Sequence, residues 1–302
     1  MKQLSGRVAV ITGGASGIGR GMAEAFAARG MKLVIADIED AALAPAVAEL
    51  RAGGADAIGV RCDVTNPKSV EELAQRALTQ FGAVHVVCNN AGVAGASNMG
   101  ALWELPLADW EWVLGVNTWG VIHGVRAFMP ILAQQPEAHV VNTASLAGTM
   151  ASGGIYGVSK HACVAISEAL YRECQLRAPN VGVSVLCPGW VNTRILESER
   201  NRPETPRPAP SAPPSSEFGA QREQVAALLK AGLAPRKVGD IVAEAMLANT
   251  FYVFTHPHWN YMMKARFDAV LGGGPPPIVA PPPGEGLEPG GSARRSDGAA
   301  SD

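Results

Sequence analysis

The sequence has no paired cysteines. Its five (Cys62, Cys88, Cys163, Cys174 and Cys187) are scattered, and none makes a CxxC pair. That spacing argues against a disulfide framework or a zinc site, and for buried thiols in a reducing compartment. Charge is scarce as well. Only 17% of residues are charged and the net charge is −2, so no general attraction to nucleic acid or anionic membrane is expected. Long apolar runs are missing too: Val8 to Ile11 is too short for a signal-peptide core, and no stretch reaches the length of a membrane span. No internal repeat is present beyond an alternation of strand-like and helix-like segments. At 302 residues and 47% hydrophobic, the chain is expected to be a soluble, cytoplasmic globular protein with one large α/β domain or two small ones.

What is there begins with a strand and a glycine loop. Arg7 to Thr12 is an apolar run bounded by glycines, the pattern of a strand covered on both faces. Thr12-Gly13-Gly14-Ala15-Ser16-Gly17-Ile18-Gly19 follows, and helical spacing holds from Met22 to Arg29. Glycines at such a junction let the backbone turn tightly and approach a phosphate, while the helix N-terminus offers free N–H groups. A second strand, Met31 to Asp37, ends in an acid twenty residues beyond Gly17. A carboxylate there accepts hydrogen bonds from the ribose 2′-hydroxyl of NAD and repels the 2′-phosphate of NADP. Its neighbours Ala15, Ser16, Ile38 and Glu39 supply no base to offset that repulsion. The competing role for Asp37, a helix cap, is the weaker one because Asp40 itself can cap.

Helices are expected from Asp40 to about Ala52 and from Pro67 to Phe81, with Gly82 as the second one's stop. Ala57 to Cys62 and Val84 to Cys88 read as strands. The latter ends in Asn89-Asn90-Ala91-Gly92, small and amide residues that suit the crevice at the carboxyl end of an open α/β sheet. One helical segment is expected from Asp109 to about Gln134, although each of its glycines costs roughly 1 kcal/mol relative to Ala. Close helix packing accounts for Gly115, Gly120 and Gly124; Asn117 is a mid-helix amide that must either face water or serve a purpose. Ala138 to Val141 and Val181 to Cys187 are further strands, and the second leads into Pro188-Gly189-Trp190-Val191-Asn192-Thr193. Six prolines between Pro203 and Pro214 forbid a regular helix or central strand. With a helical piece from about Glu217 to Ala231, the segment from Arg194 to Pro235 reads as a mobile lid. A helix from Val238 to Asn249, a seventh strand from Phe251 to Thr255 and a short helix from Tyr261 to Leu271 complete a single domain over 1–271. The Pro/Gly-rich tail, 272–302, has too little apolar matter to fold.

The most informative stretch lies between Asn142 and Lys160. Tyr156 and Lys160 are four apart, on one face of the helix expected from Tyr156 to about Ala178. A Lys ammonium beside a phenol favours the phenolate, which can take or give a proton near neutral pH. Ser145, at a strand end, is placed to hydrogen-bond the same reacting oxygen. By itself a Tyr/Lys pair at this spacing is most often a helix-surface contact. The rest of the chain changes that balance.

Thr12 to Gly19, Asn89 to Gly92, Asn117, Ser145, Tyr156-Gly-Val-Ser-Lys160 and Pro188-Gly189 with Thr193 occur in the order used by the short-chain dehydrogenase/reductase family, which this chain resembles from about Leu4 to Thr255. The resemblance implies an α/β fold: one Rossmann-type, doubly wound sheet of seven parallel strands with helices on both faces, usually in a dimer or tetramer. It implies Tyr156 as catalytic acid/base and Lys160 as the residue that tunes it and holds the nicotinamide ribose. Ser145 would steady the substrate oxygen, and Asn117 would keep a water for proton relay. For the cofactor NAD it implies contacts from Gly13, Ser16, Gly17, Ile18 and Gly19 in the first loop and from Asp37 at the ribose. Asp63 and Val64 would flank the adenine, and Asn90, with Ala91 and Gly92, would lie under the nicotinamide-side ribose. Pro188, Gly189, Val191 and Thr193 would border the nicotinamide, Thr193 at its carboxamide. Ser145 and Tyr156 lie closer together in sequence than in many family members, so the loop flooring the substrate pocket is shorter. A looser likeness, in 196–203 and around His256 to Phe267, points to a bacterial branch that oxidises bulky aryl secondary alcohols such as the Cα-alcohols of β-aryl ethers. Val93, Ala94, Met150, Trp190 and Ile195 are expected to line the pocket, with Trp190 touching a small apolar or aromatic substrate. No metal is expected. The alternatives are an NADP-dependent ketone reductase of biosynthesis and a non-catalytic NAD-binding regulatory protein.

Overall fold

The structure is a computed structural model that describes residues 1–95, 101–203 and 216–279, with the backbone alone at 216–218, 220 and 221. Strands and helices alternate as β1 (Val8–Thr12), α1 (Gly17–Ala27), β2 (Lys32–Asp37), α2 (Asp40–Ala52), β3 (Ala57–Arg61), α3 (Pro67–Phe81) and β4 (Val86–Asn89). After them come α4 (Leu107–Leu114), α5 (Gly120–Leu132), β5 (Ala138–Thr143), α6 (Gly154–Arg177) and β6 (Val181–Cys187). The chain continues through α7 (Ser216–Ala231), α8 (Pro235–Ala248), β7 (Tyr252–Phe254) and α9 (Asn260–Gly272). The seven strands form one parallel sheet in the order β3-β2-β1-β4-β5-β6-β7. The expected fold class is therefore present.

Alternation along β1 divides the core into two layers. Ala9 and Ile11 pack with Met22 and Phe26 of α1 and with Val238 and Val242 of α8, whereas Val8 and Val10 pack with Leu73 of α3 and Phe128 and Leu132 of α5. Every β1 residue is buried, as a strand covered on both faces requires. The order reverses between β1 and β4, and this switch point leaves a crevice at the carboxyl ends of the strands. Behind the crevice, Asn89 Nδ2 donates to Asn142 Oδ1 at 2.9 Å, and Asn142 Nδ2 donates to Ser167 Oγ at 3.0 Å. This buried chain ties β4 to β5 and α6.

One expectation is corrected. The segment from Asp109 to Gln134 is not one helix: between α4 and α5 lies a π-helical turn, Gly115–Trp119, in which the Gly120 N–H reaches back five residues to the Gly115 carbonyl. The glycines reflect packing, since a Cβ on Gly120 would press on the Val64 side chain and one on Gly124 would collide with the Asn89 amide. The extra residue in the turn leaves Asn117 fully buried, not facing water. The candidate lid segment contains a 3₁₀ segment (Ile195–Asn201) and the expected helix, α7, and a bridge joins Val191 to Leu233. Its proline-rich stretch, 204–215, lies outside the described residues, as does 280–302 of the expected tail. All five cysteines are buried free thiols. Among the described residues no helix is long and apolar enough to cross a membrane.

Candidate active site

A cavity of ≈ 670 Å³ opens at the switch point and takes in most of the residues singled out from the sequence. Its first wall is the β1–α1 loop. Gly13 has φ +61°, and a Cβ there would stand 2.9 Å from the Ala91 Cα, so the loop lies directly on the end of β4. Ser16 precedes α1 with no side-chain capping bond, which leaves the N–H groups of the first turn available to an anion. Gly13, Ser16, Gly17 and Ile18 border the cavity. Gly19 does not; it sits beneath the loop, where a Cβ would collide with the Gly13 carbonyl.

Asp37 closes this end. Its carboxylate accepts from the Ala15 N–H at 3.1 Å and the Glu39 N–H at 3.1 Å, so the acid also fixes the glycine loop. Burial pushes its pKa up, and the two backbone bonds oppose that shift. Asp63 and Val64 form the opposite wall. Asp63 Oδ1 is occupied by the Thr65 N–H and hydroxyl, at 2.9 and 2.7 Å. One reading from sequence fails at this end, because a base does lie nearby. Arg200 borders the cavity and donates from Nε to Glu39 Oε2 at 3.0 Å. It arrives from 161 residues further along, where local sequence cannot show it.

Ser145, Tyr156 and Lys160 all line the cavity. Lys160 is 3% exposed. Its ammonium donates to the Thr143 carbonyl at 2.9 Å and lies 5.6 Å from the centre of the Tyr156 ring. Ser145 caps a short 3₁₀ turn, accepting from the Ala147 N–H at 3.1 Å. Asn117 lies behind the cavity wall and does not border it. Its Oδ1 accepts from the Val93 N–H at 2.8 Å, and its Nδ2 donates to the Val93 carbonyl and to Ser159 Oγ, each at 2.9 Å. Ser159 Oγ donates in turn to the Tyr156 carbonyl at 2.7 Å. With both amide hydrogens committed, the Asn117 side chain braces the β4 loop against the Tyr156 turn and has no donor left for a water. Asn90 is likewise a brace. It bonds Thr12 through its N–H and its side chain, and its Oδ1 accepts from the Thr143 hydroxyl.

The far end is apolar and aromatic. Trp190 and Trp259 meet edge to face at 6.4 Å, with Met150 and Met262 beside them, and Trp112 of α4 also lines the cavity. Pro188, Gly189, Val191 and Thr193 join the two ends; Gly189 is held by its N–H to Thr255 Oγ1 at 3.0 Å. Ala91 and Gly92, after β4, both border the cavity. Ala94, Met150, Trp190 and Ile195 line it as expected. Val93 does not, because it turns into the cluster with Leu105, Val113 and Ile155. Trp112 is not marked by its local sequence; Trp259 and Met262 lie in the His256 to Phe267 stretch of the looser likeness, which assigns neither of them to the pocket.

The family model described as short chain dehydrogenase matches residues 7–204. The chain belongs to the short-chain dehydrogenase family. A crystal structure of a short-chain dehydrogenase/reductase from Burkholderia phymatum in complex with NAD is 43% identical, covers 93% of this chain and 100% of its own, and superposes with a TM-score of 0.87. Over 275 residues the chain is 34% identical to the CLA biosynthesis dehydrogenase/reductase of Lactiplantibacillus plantarum, which spans 90% of this chain and 95% of that protein. It is 31% identical to the C alpha-dehydrogenase of Sphingobium sp. over 277 residues, 90% of this chain and 87% of that one. The sheet order and the lining of one cavity by Ser145, Tyr156 and Lys160 agree with this family.

Proposed function

We propose that this protein is an NAD-dependent dehydrogenase that interconverts an apolar or aromatic secondary alcohol and its ketone. The observation that carries the reading is the shared cavity: one end offers a glycine loop, an uncapped helix N-terminus and the Asp37 carboxylate, and Ser145, Tyr156 and Lys160 stand between it and an aromatic pocket. Those donors and acceptors suit a dinucleotide, since the helix N-terminus suits a pyrophosphate and an acid suits a ribose diol. The NAD held by the Burkholderia relative and the name of the Sphingobium one support the same assignment. Bound NAD supplies the hydride acceptor.

The protein's own residues handle the proton and the oxygen. Ser145 holds the substrate hydroxyl, and Tyr156 as phenolate takes its proton during oxidation. The Lys160 ammonium, anchored on the Thr143 carbonyl, stabilises that negative charge electrostatically. The Asn117–Ser159 brace fixes the backbone of the turn that carries Tyr156. Trp190, Trp259 and Met150 exclude water from the apolar side. Leu107, Trp119, Val158 and Leu176 are exposed on α4, the π-helical turn and α6, and we assign that face to a homodimer or homotetramer contact.

The test is a screen of NAD and NADP reduction against sugars, steroids, aliphatic alcohols and 1-arylalkanols. Turnover should be fastest with NAD and arylalkanols. A preference for sugars, or equal kcat/KM with NADP, refutes this assignment.

A further inference from the structure

The segment just before the proline-rich stretch is held to α4, behind the cavity wall, by an ion pair that does not belong to the proposed catalytic set. Arg202 Nη2 meets Asp109 Oδ1 of α4 at 2.6 Å, and the two side chains are only 3% and 5% exposed. The guanidinium carbon lies 4.9 Å from the centre of the Trp112 ring. Asp109 and Trp112 are three apart on α4, on one helix face, so a single Arg reaches both. A second tie stands beside it, where Ser198 Oγ accepts from the Ala94 N–H at 3.1 Å and is itself buried. Both partners carry cavity wall: Trp112 and Val116 on the α4 side, Leu196, Ser198 and Pro203 on the other.

An ion pair this deeply buried is a poor device for stability alone. Removing two charges from water costs several kcal/mol per ion, and an apolar pair of similar volume often holds a fold as well or better. What the charged version adds is geometry, a planar fork fixed on a carboxylate and stacked on an indole, which leaves little freedom in the distance between the two walls. We propose that Arg202, with Asp109, is a positioning residue that sets the width of the aromatic end and thereby selects bulky aryl alcohols over small ones. The selectivity part rests on the function proposed above; the clamp itself does not. Arg202 touches neither the Tyr156 set nor the Asp37 end among its contacts, so any effect on cofactor binding is indirect, through Arg200 on the same segment.

The test compares Arg202→Met, Asp109→Leu and the double variant, all as full chains. Either single leaves one charge buried without this partner and is expected to lower the melting temperature, while the double recovers it. In the double, NADH affinity by fluorescence titration should stay within about twofold. Its kcat/KM for a bulky β-aryl ether Cα-alcohol relative to 1-phenylethanol should fall about ten- to a hundredfold, the scale set by a misplaced pocket wall. Hydrogen exchange on the NADH complex should be faster in the double at Ala94 and through 195–203, with β1, β4 and β5 unchanged. A folded double with native exchange in that segment overturns the clamp, and faster exchange with an unchanged substrate ratio overturns its role in selection. If the native protein oxidises none of these alcohols, the function assignment fails, and exchange alone then decides the clamp.

Discussion

The two ends of the cavity are built by different means. At the nucleotide end, the walls are strand termini and the loops between them, laced by bonds to backbone: Asp37 to the Ala15 and Glu39 N–H groups, and Thr12 Oγ1 to the Asn90 and Ala91 N–H groups. At the substrate end, the walls come from α4, the 190s loop and the segment before α9, and side chains hold them through Arg202 on Asp109 and Trp190 on Trp259. The first end is part of the sheet and inherits its rigidity. The second is an assembly of chain-distant pieces, so its shape can change with a few substitutions while the sheet stays as it is. Cofactor choice and substrate choice should therefore separate experimentally.

The largest effect is expected where the two ends meet. Tyr156→Phe keeps the ring and removes the hydroxyl proposed to exchange the proton, so kcat should drop by about 10²–10⁴-fold. NADH affinity, set at the other end, should hardly move. Near-native turnover by this variant would falsify the acid/base assignment, whatever the substrate.

Beneath both ends the sheet itself can be stressed by acid. His139, on β5, is fully buried, and its Nε2 shares a hydrogen bond with Ser184 Oγ at 2.8 Å. Burial pulls its pKa down to about 3. The folded protein thus holds His139 neutral over a range in which the unfolded chain has already taken a proton. Stability should be complete above the ordinary His value of about 6.5 and should fall by about 1.4 kcal/mol per unit as pH drops below it, levelling off only near the folded value. Denaturant titrations of His139→Gln between neutral pH and the carboxylate range should show a shallower slope. An identical slope means another group dominates the acid loss. The NAD preference should not change with this variant.

A third effect acts on the nucleotide end alone. Asp37→Asn keeps an amide oxygen for the Ala15 N–H and removes the charge that repels a 2′-phosphate. The ratio of kcat/KM for NAD over NADP should fall about ten- to a hundredfold, the scale of one charged hydrogen bond of about 1.5–3 kcal/mol. Substrate ranking should be unchanged. If the ranking shifts instead, the two ends are coupled through the sheet.

The same division explains what the sequence revealed. The nucleotide end was legible because its signals are local: a glycine loop between a buried strand and a helix, and an acid at the next strand's end. Tyr156 and Lys160 were legible for the same reason, as one helical spacing. Trp112 was not, and Arg200, Arg202, Trp259 and Met262 were marked only as parts of two loosely similar stretches, because each acquires its place only when segments far apart in the chain pack together. Asn117 fell between these cases. Its burial could be anticipated from the glycines around it, but the π-helical turn that commits its amide to Val93 depends on how α4 and α5 meet the sheet.

The smallest effect belongs to a side-chain contact that reaches from one end toward the other. Arg200 bonds Glu39 at the nucleotide end, yet it is carried on the same 3₁₀ segment as Ser198, which is tied to the substrate wall. Its side chain and that of Glu39 are about a quarter exposed, at 24% and 25%, in contrast to the buried Arg202–Asp109 pair. Partly solvated pairs are worth about 0–1 kcal/mol and weaken with salt. Arg200→Met should therefore raise the NADH dissociation constant by no more than about fivefold, and raising the ionic strength of the native protein should reproduce part of that change. The ranking among arylalkanols should stay as it is, because Arg202 and Ser198 keep the segment in place. A shift in that ranking as large as the one expected for the Arg202/Asp109 double variant would show that the segment pivots as a unit. The nucleotide and substrate ends would then have to be treated as one coupled site.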